Sequence, residues 1–260
     1  MSDILTERSG SILRVQLNRP ARKNAMTSAM YIAMAELLTD AAQDDHIRVV
    51  LWHGAGDSFS AGNDLEDFMK NPPGPGESPQ ARLIAGLIAF DKPVVAAVHG
   101  AAIGSGTTML THCDVVYAGE STKFQLPFVN LGLVPEFGAS YSIPARIGYV
   151  RAAELFMLGL PFDATRAAAL GLVTRVVPDQ KLLATATDTA QKLAEQPSVA
   201  LQACKRLMRG AVRESLQQAI SAENEAFAAG VRSADFKEAV TAFFEKRSPD
   251  FTRAKEPALT

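Results

Sequence analysis

Short β-rich runs alternate with helical stretches through roughly the first two-thirds of this chain, and two of the junctions are glycine-flanked turns. Residues 12–18 alternate, with Leu13, Val15 and Leu17 on one face and Arg14 and Gln16 on the other, as a half-buried strand requires. A helix is expected over 27–42, because Thr27 is a good cap and Met30, Met34, Leu37, Leu38 and Ala41 share one side. The runs 49–53, 94–98 and 115–118 read as further short strands. This alternation predicts an α/β fold. Beyond Val177 the pattern is helical, over 180–195, 199–213, 216–229 and 236–246. Pro197 interrupts it and sets a soft boundary between a core of residues 1–197 and a C-terminal helical region of residues 198–260. The stretch NPPGPGESP at 71–79 suits neither helix nor strand and predicts an exposed, moving loop.

The two glycine-flanked turns are FSAGNDL (59–65) and HGAAIGSGTTML (99–110). Each leaves backbone N–H groups without helical partners. Ser105 stands where a helix should start, so its N–H is unpaired within that helix and lies at the positive end of its dipole. Read alone, Gly54, Gly56 and Gly62 are turn glycines, and Gly104 and Gly106 let a helix pack close to a strand. A third stretch, PFVNLGLVPEFG (127–138), brings Glu136 to a glycine-bounded turn. There its carboxylate is either a base or a helix-start residue behind Pro135. No Gly-x-Ser-x-Gly elbow frames Ser105 and no Lys follows the glycines, which argues against a serine hydrolase or a P-loop protein.

Composition narrows the classes further. With 260 residues and 47% hydrophobic content, the chain can bury a sizeable core. A net charge of -2 and a pI near 6.1 give no indication of nucleic acid or an anionic membrane as partner. Cys113 and Cys204 read as reduced and buried, as in a reducing compartment. His46, His53, His99 and His112 lack clustered ligand spacing, so no metal site is expected. The N-terminal segment lacks a signal-peptide pattern, and the apolar stretch 93–110 is broken by His99 and glycines. A cytoplasmic location is the expectation.

The segments LNRPARKNAM (17–26), FSAGNDL, KPVVAAVHGAAIGSG (92–106), CDVVYA (113–118), LGLVPEFG (131–138), AAALGLVTRVVP (167–178) and FFEKRSPDF (243–251) form one ordered series. The series resembles the crotonase (enoyl-CoA hydratase/isomerase) superfamily over nearly the whole chain. In its GNDL and PF-x-x-LG-x-x-PE patterns it is most similar to the peroxisomal-type Δ3,Δ2-enoyl-CoA isomerases. The resemblance implies a ββα spiral core with a C-terminal helical trimerisation region. It also implies a homotrimer or hexamer, with Phe227, Phe236, Phe243 and Phe244 as a stripe that subunits could bury. Coenzyme A would enter as part of an acyl thioester substrate, with no separate cofactor.

For the site, the resemblance makes the backbone N–H groups of Asn63 and Ser105 the two donors of an oxyanion hole, whose side chains need not take part. Glu136 matches the single catalytic base of the isomerase branch. A related bacterial branch, the phenylacetate-pathway epoxide and oxepin CoA isomerases, has Asp at that place. The two glutamates of family hydratases correspond to Thr108 and Phe128, neither of which usefully moves a proton. Backbone groups of Ala61, Asp64 and Leu65 would hold adenine, Arg22 and Lys23 would meet phosphates, and Lys246 would reach a nucleotide from a neighbouring subunit. Asp64 also reads as a turn-forming residue. The alternatives are a hydratase that uses Glu136 alone with water, a ring-type acyl-CoA isomerase, and a non-catalytic acyl-CoA- or RNA-binding member.

Overall fold

The computed structural model describes residues 2–71 and 78–252. Its strands are β1 (Ile4–Ser9), β2 (Ile12–Leu17), β3 (Val49–Gly54), β4 (Val94–Val98), β5 (Ala101–Ile103), β6 (Val115–Gly119), β7 (Lys123–Gln125), β8 (Phe162–Asp163) and β9 (Arg175–Val177). The helices before residue 170 are α1 (Ser28–Gln43), α2 (Leu65–Lys70), α3 (Pro79–Ala89), α4 (Ser105–Thr108), α5 (Ala139–Ile147), α6 (Tyr149–Leu158) and α7 (Ala164–Ala169). They are followed by α8 (Leu182–Ala194), α9 (Ser198–Gly210), α10 (Arg213–Val231) and α11 (Ala234–Phe244). Most of the expected loop at 71–79 lies outside the described residues; at its end, Ser78 caps α3 and Pro79 begins it.

Six strands form one sheet in the order β1-β2-β3-β4-β6-β9, antiparallel only between β1 and β2. Both faces are covered, so β4 is buried at every residue. The side-chain period of two separates the faces. Val94, Ala96 and Val98 join Val15, Leu17, Val50 and Trp52 in the main core with α1. Val95 and Ala97 join Ile12, Val49 and Leu51 in a second layer under α8. Ala186, Ala190 and Ala194 recur every fourth residue on α8, a small-residue face that lies flat on the sheet. The α1 cap is as expected: Thr27 accepts from the Met30 N–H at 3.3 Å.

A smaller sheet, β5-β7-β8, is extended by a bridge between Ser60 and Ala102. The chain visits the large sheet, then the small one, then a helix, as in β4–β5–α4, which is the ββα spiral expected. The last three helices pack back on this body. Lys205 of α9 is buried, donating to the Lys92 carbonyl and to Asp114, each at 2.7 Å. Otherwise α9 is largely uncovered, which leaves Cys204 exposed rather than buried as expected.

Candidate active site

Successive turns of the spiral leave the small sheet side by side. The Ile103 N–H donates to the Ser60 carbonyl at 2.9 Å, and the Gly104 N–H to the Gln125 carbonyl at 2.9 Å. Asn63 follows the first of these crossings and Ser105 the second. Gly62, with φ +86°, permits their approach: a Cβ there would lie 2.6 Å from the Ile103 carbonyl oxygen and 3.6 Å from Ser105 N. Among the described residues neither the Asn63 nor the Ser105 N–H has an acceptor, so both remain free for a ligand oxygen.

Glu136 arrives from the third turn and is 5% exposed. Its Oε1 accepts from Asn63 Nδ2 at 3.2 Å and from the Ser105 hydroxyl in a short hydrogen bond. Both side chains therefore contact Glu136, which the backbone roles expected of them do not require. Behind them Tyr31 donates its hydroxyl to Asn63 Oδ1 at 2.7 Å, which fixes the amide with its NH2 toward Glu136. Burial pushes the Glu136 carboxyl up to about 7, and the negative Glu223 adds to the rise, while the hydrogen bonds from Ser105 and Asn63 oppose it. A carboxylate near 7 is suited to general-base work at neutral pH.

Asn63 and Ser105 line a cavity of about 300 Å³ whose other walls are largely apolar, among them Phe68, Phe128, Phe227 and Phe236. Glu136 stands behind the Asn63 and Ser105 side chains rather than in that wall. Phe128 makes its side of the cavity apolar, as expected. Thr108 is fully buried and spends its hydroxyl on the Gly104 carbonyl at 3.4 Å. Phe227 and Phe236 pack edge-on against Phe68 of the same chain, at 5.7 and 6.0 Å between ring centres. Of the four phenylalanines expected as an intersubunit stripe, these two instead are buried over the chain's own cavity, Phe243 lines the cavity while staying largely exposed, and Phe244 is exposed.

Ala61 and Leu65 line the cavity. Asp64 caps α2, accepting from Glu66 N and Asp67 N at 3.1 Å each, and pairs with Arg19 at 2.9 Å. Its own N–H is committed to the Met26 carbonyl. Arg22 pairs with Glu66 at 2.7 Å. Lys23 adjoins the same loop, its carbonyl accepting from the Ala61 N–H at 2.8 Å. Lys246, just past α11, makes no hydrogen bond or ion pair with these groups among the described residues.

Sequence reasoning missed Tyr31, Glu223, His112 and Arg19. Tyr31 lies on the apolar side of α1 and carries no local mark of function. Glu223 and His112 meet the Glu136 turn only through tertiary packing.

Residues 7–254 match the family model described as enoyl-CoA hydratase/isomerase, and the chain belongs to that family. It is similar to 1,2-epoxyphenylacetyl-CoA isomerase of Escherichia coli K12, 37% identical over 259 residues that cover 97% of this chain and 99% of that protein. It is 34% identical over 252 residues to 2,3-dehydroadipyl-CoA hydratase of the same organism, covering 96% of this chain and 99% of the relative. Among solved structures, an enoyl-CoA hydratase/isomerase from Pseudoalteromonas atlantica T6c superposes with a TM-score of 0.92 at 40% identity, over 96% of this chain and 100% of that one. The class is thus an acyl-CoA-transforming enzyme of the crotonase fold, and its relatives include both an isomerase and a hydratase.

Proposed function

We propose that this enzyme is an enoyl-CoA isomerase that shifts a 3-enoyl-CoA double bond to the 2-position with Glu136 as its single base. The observation that supports this most is a lone carboxylate joined to both oxyanion segments, while the two positions at which family hydratases hold their acids are Thr108 and Phe128. The thioester oxygen accepts from the N–H groups of Asn63 and Ser105, where negative charge grows as the C2 proton leaves. Glu136 takes that proton and returns it to C4 of the dienolate. Both hydrogen bonds fall on Oε1, which leaves Oε2 for the transfer. Substrate binding has to turn the carboxylate past Ser105 toward the cavity, in keeping with catalytic contacts that tighten only in the complex.

With the Ala61 and Asp64 N–H groups committed within the chain, the carbonyls of those two residues and the backbone of Leu65 meet the adenine, with Arg22 and Lys23 near the phosphates and Lys246 reaching a neighbouring subunit's nucleotide. Residues 198–260 serve assembly into a trimer or hexamer: Val199, Leu207 and Met208 on α9 are 81%, 79% and 67% exposed, an apolar set that a second copy would cover. The protein works in the cytoplasm. A second reading, a ring-type acyl-CoA isomerase, is favoured by the aromatic cavity wall and by the epoxyphenylacetyl-CoA isomerase relative.

The test is a panel of 3-hexenoyl-CoA, crotonyl-CoA and a ring-bearing CoA thioester. Isomerisation of a 3-enoyl or ring-bearing substrate should far exceed crotonyl-CoA hydration, and the ratio between the first and third substrates separates the two isomerase readings. Faster hydration of crotonyl-CoA than isomerisation of either would end the proposal.

A further inference from the structure

The turn that presents Glu136 has a backbone that most side chains avoid. Phe137 and Gly138 have φ of +63° and +67°, and Phe137 is fully buried. A left-handed aromatic residue persists only where its surroundings enforce it. Two groups do so here. From α10, the buried Glu223 carboxylate accepts from the backbone N–H of Gly138 and from that of Ser140, each at 2.7 Å. From the segment that follows α4, His112 Nε2 lies 2.7 Å from the Phe137 carbonyl oxygen. A carbonyl only accepts, so His112 donates, and burial holds its pKa down to about 4, which keeps the ring neutral. The backing is tight: a Cβ at Gly138 would lie 2.3 Å from Leu216 Cδ1 on α10.

We infer that Glu223 is a positioning residue for the reaction: by holding the N–H groups of Gly138 and Ser140 it fixes the left-handed turn that aims Glu136 at Asn63 and Ser105. The inference rests on the reading of Glu136 as the base. Glu223 touches neither the cavity nor the two donors, so it acts through Glu136. It also sets the charge around that base. The titratable groups bearing on Glu136 among the described residues are Tyr31 from α1, Glu223 from α10 and, through Phe137, His112. Burial and the nearby Glu136 keep the Tyr31 phenol protonated, and His112 is neutral, so the one charge comes from Glu223, whose own carboxyl burial raises while the hydrogen bonds from Ser140 and Gly138 favour its ionised form. That charge raises Glu136, and its removal should let Glu136 ionise at lower pH.

Two variants separate position from charge, assayed on the fastest thioester of the panel. Glu223→Gln keeps the length and loses the charge; Glu223→Asp keeps the charge and withdraws the oxygens. Both should lower kcat about tenfold or more while KM stays within about threefold, as expected of a misplaced base rather than a damaged binding site. Only Glu223→Gln should also move the acid limb of kcat/KM to lower pH. A residue that merely supports folding would lower the melting temperature and leave that limb in place. A folded Glu223→Gln protein with wild-type kcat and an unmoved acid limb would overturn the inference; if that variant does not fold, wild-type kcat in Glu223→Asp does so instead. Glu136→Gln, prepared in parallel, distinguishes the failures. Turnover retained there removes the base reading and this inference together, whereas loss there with normal Glu223 variants removes this inference alone.

Discussion

Glu136→Gln should make the protein more stable and nearly inactive at once. The native carboxyl is raised from 4.5 to about 7, chiefly by burial, so the folded state prefers it protonated. A raised native value means that the stability present below the unfolded value is lost as pH climbs through the native one. Each pH unit between the two values corresponds to about 1.4 kcal/mol, so Glu136 opposes folding by roughly 3 kcal/mol at pH 8 and by less than about 1 kcal/mol at pH 5. Glutamine does not titrate, keeps an oxygen for Ser105 and Asn63, and escapes this penalty. The stability advantage of Glu136→Gln should therefore grow by roughly 2 to 3 kcal/mol from pH 5 to pH 8 in paired urea denaturations at fixed protein concentration. Turnover should fall at least about a hundredfold, the usual contribution of a positioned base, with acyl-CoA binding retained. An advantage independent of pH would show that Glu136 is not held in an unfavourable ionisation state. Near wild-type turnover in the folded variant would refute its role as base.

Tyr31→Phe removes the hydroxyl that orients the Asn63 amide; circular dichroism should be unchanged and kcat should fall about three- to tenfold, and an unaltered kcat would show that Asn63 needs no such support. Light scattering at micromolar concentration should give a trimer or hexamer with closed symmetry, and a monomer would contradict the role proposed for the α9 face.

The parts of the fold legible in the sequence are those with a strong period. β2, β3 and β4 alternate between two buried layers, and α1 shows its cap and its apolar side. β5, β7, β8 and β9 have two or three residues each, too few for any period, and exist because neighbouring turns of the spiral supply backbone partners. The two glycine-flanked segments were legible as close approaches because their glycines mark where the backbone must bend or come close, as Gly62 does beside Ile103. Their supports were not. Tyr31 looks like one more core residue of α1, and Glu223 like a solvated residue in a helix until α10 folds across the Glu136 turn. Phe227 and Phe236 were misjudged because spacing shows which residues share a stripe and not which body covers it.

The pKa of Glu136 connects its burial to the reaction proposed. Hydration requires a base for water and an acid for the α-carbon, acting together in a wet corner of the pocket. The corresponding corner here is closed by Phe128, and Thr108 turns its hydroxyl to Gly104. Double-bond migration needs one group to act first as base and then as acid on the same proton. Such a group works best when neither form is strongly favoured near pH 7, where a buried carboxyl at about 7 lies. Burial alone would leave it almost wholly protonated at neutral pH, and the bonds from Ser105 and Asn63 limit that rise by stabilising the ionised form. Removing the Asn63 amide should on this account raise the Glu136 pKa further and leave less of it ionised at neutral pH. In the reaction proposed, the burial that holds Glu136 near 7 is thus also what lets one carboxylate serve first as base and then as acid.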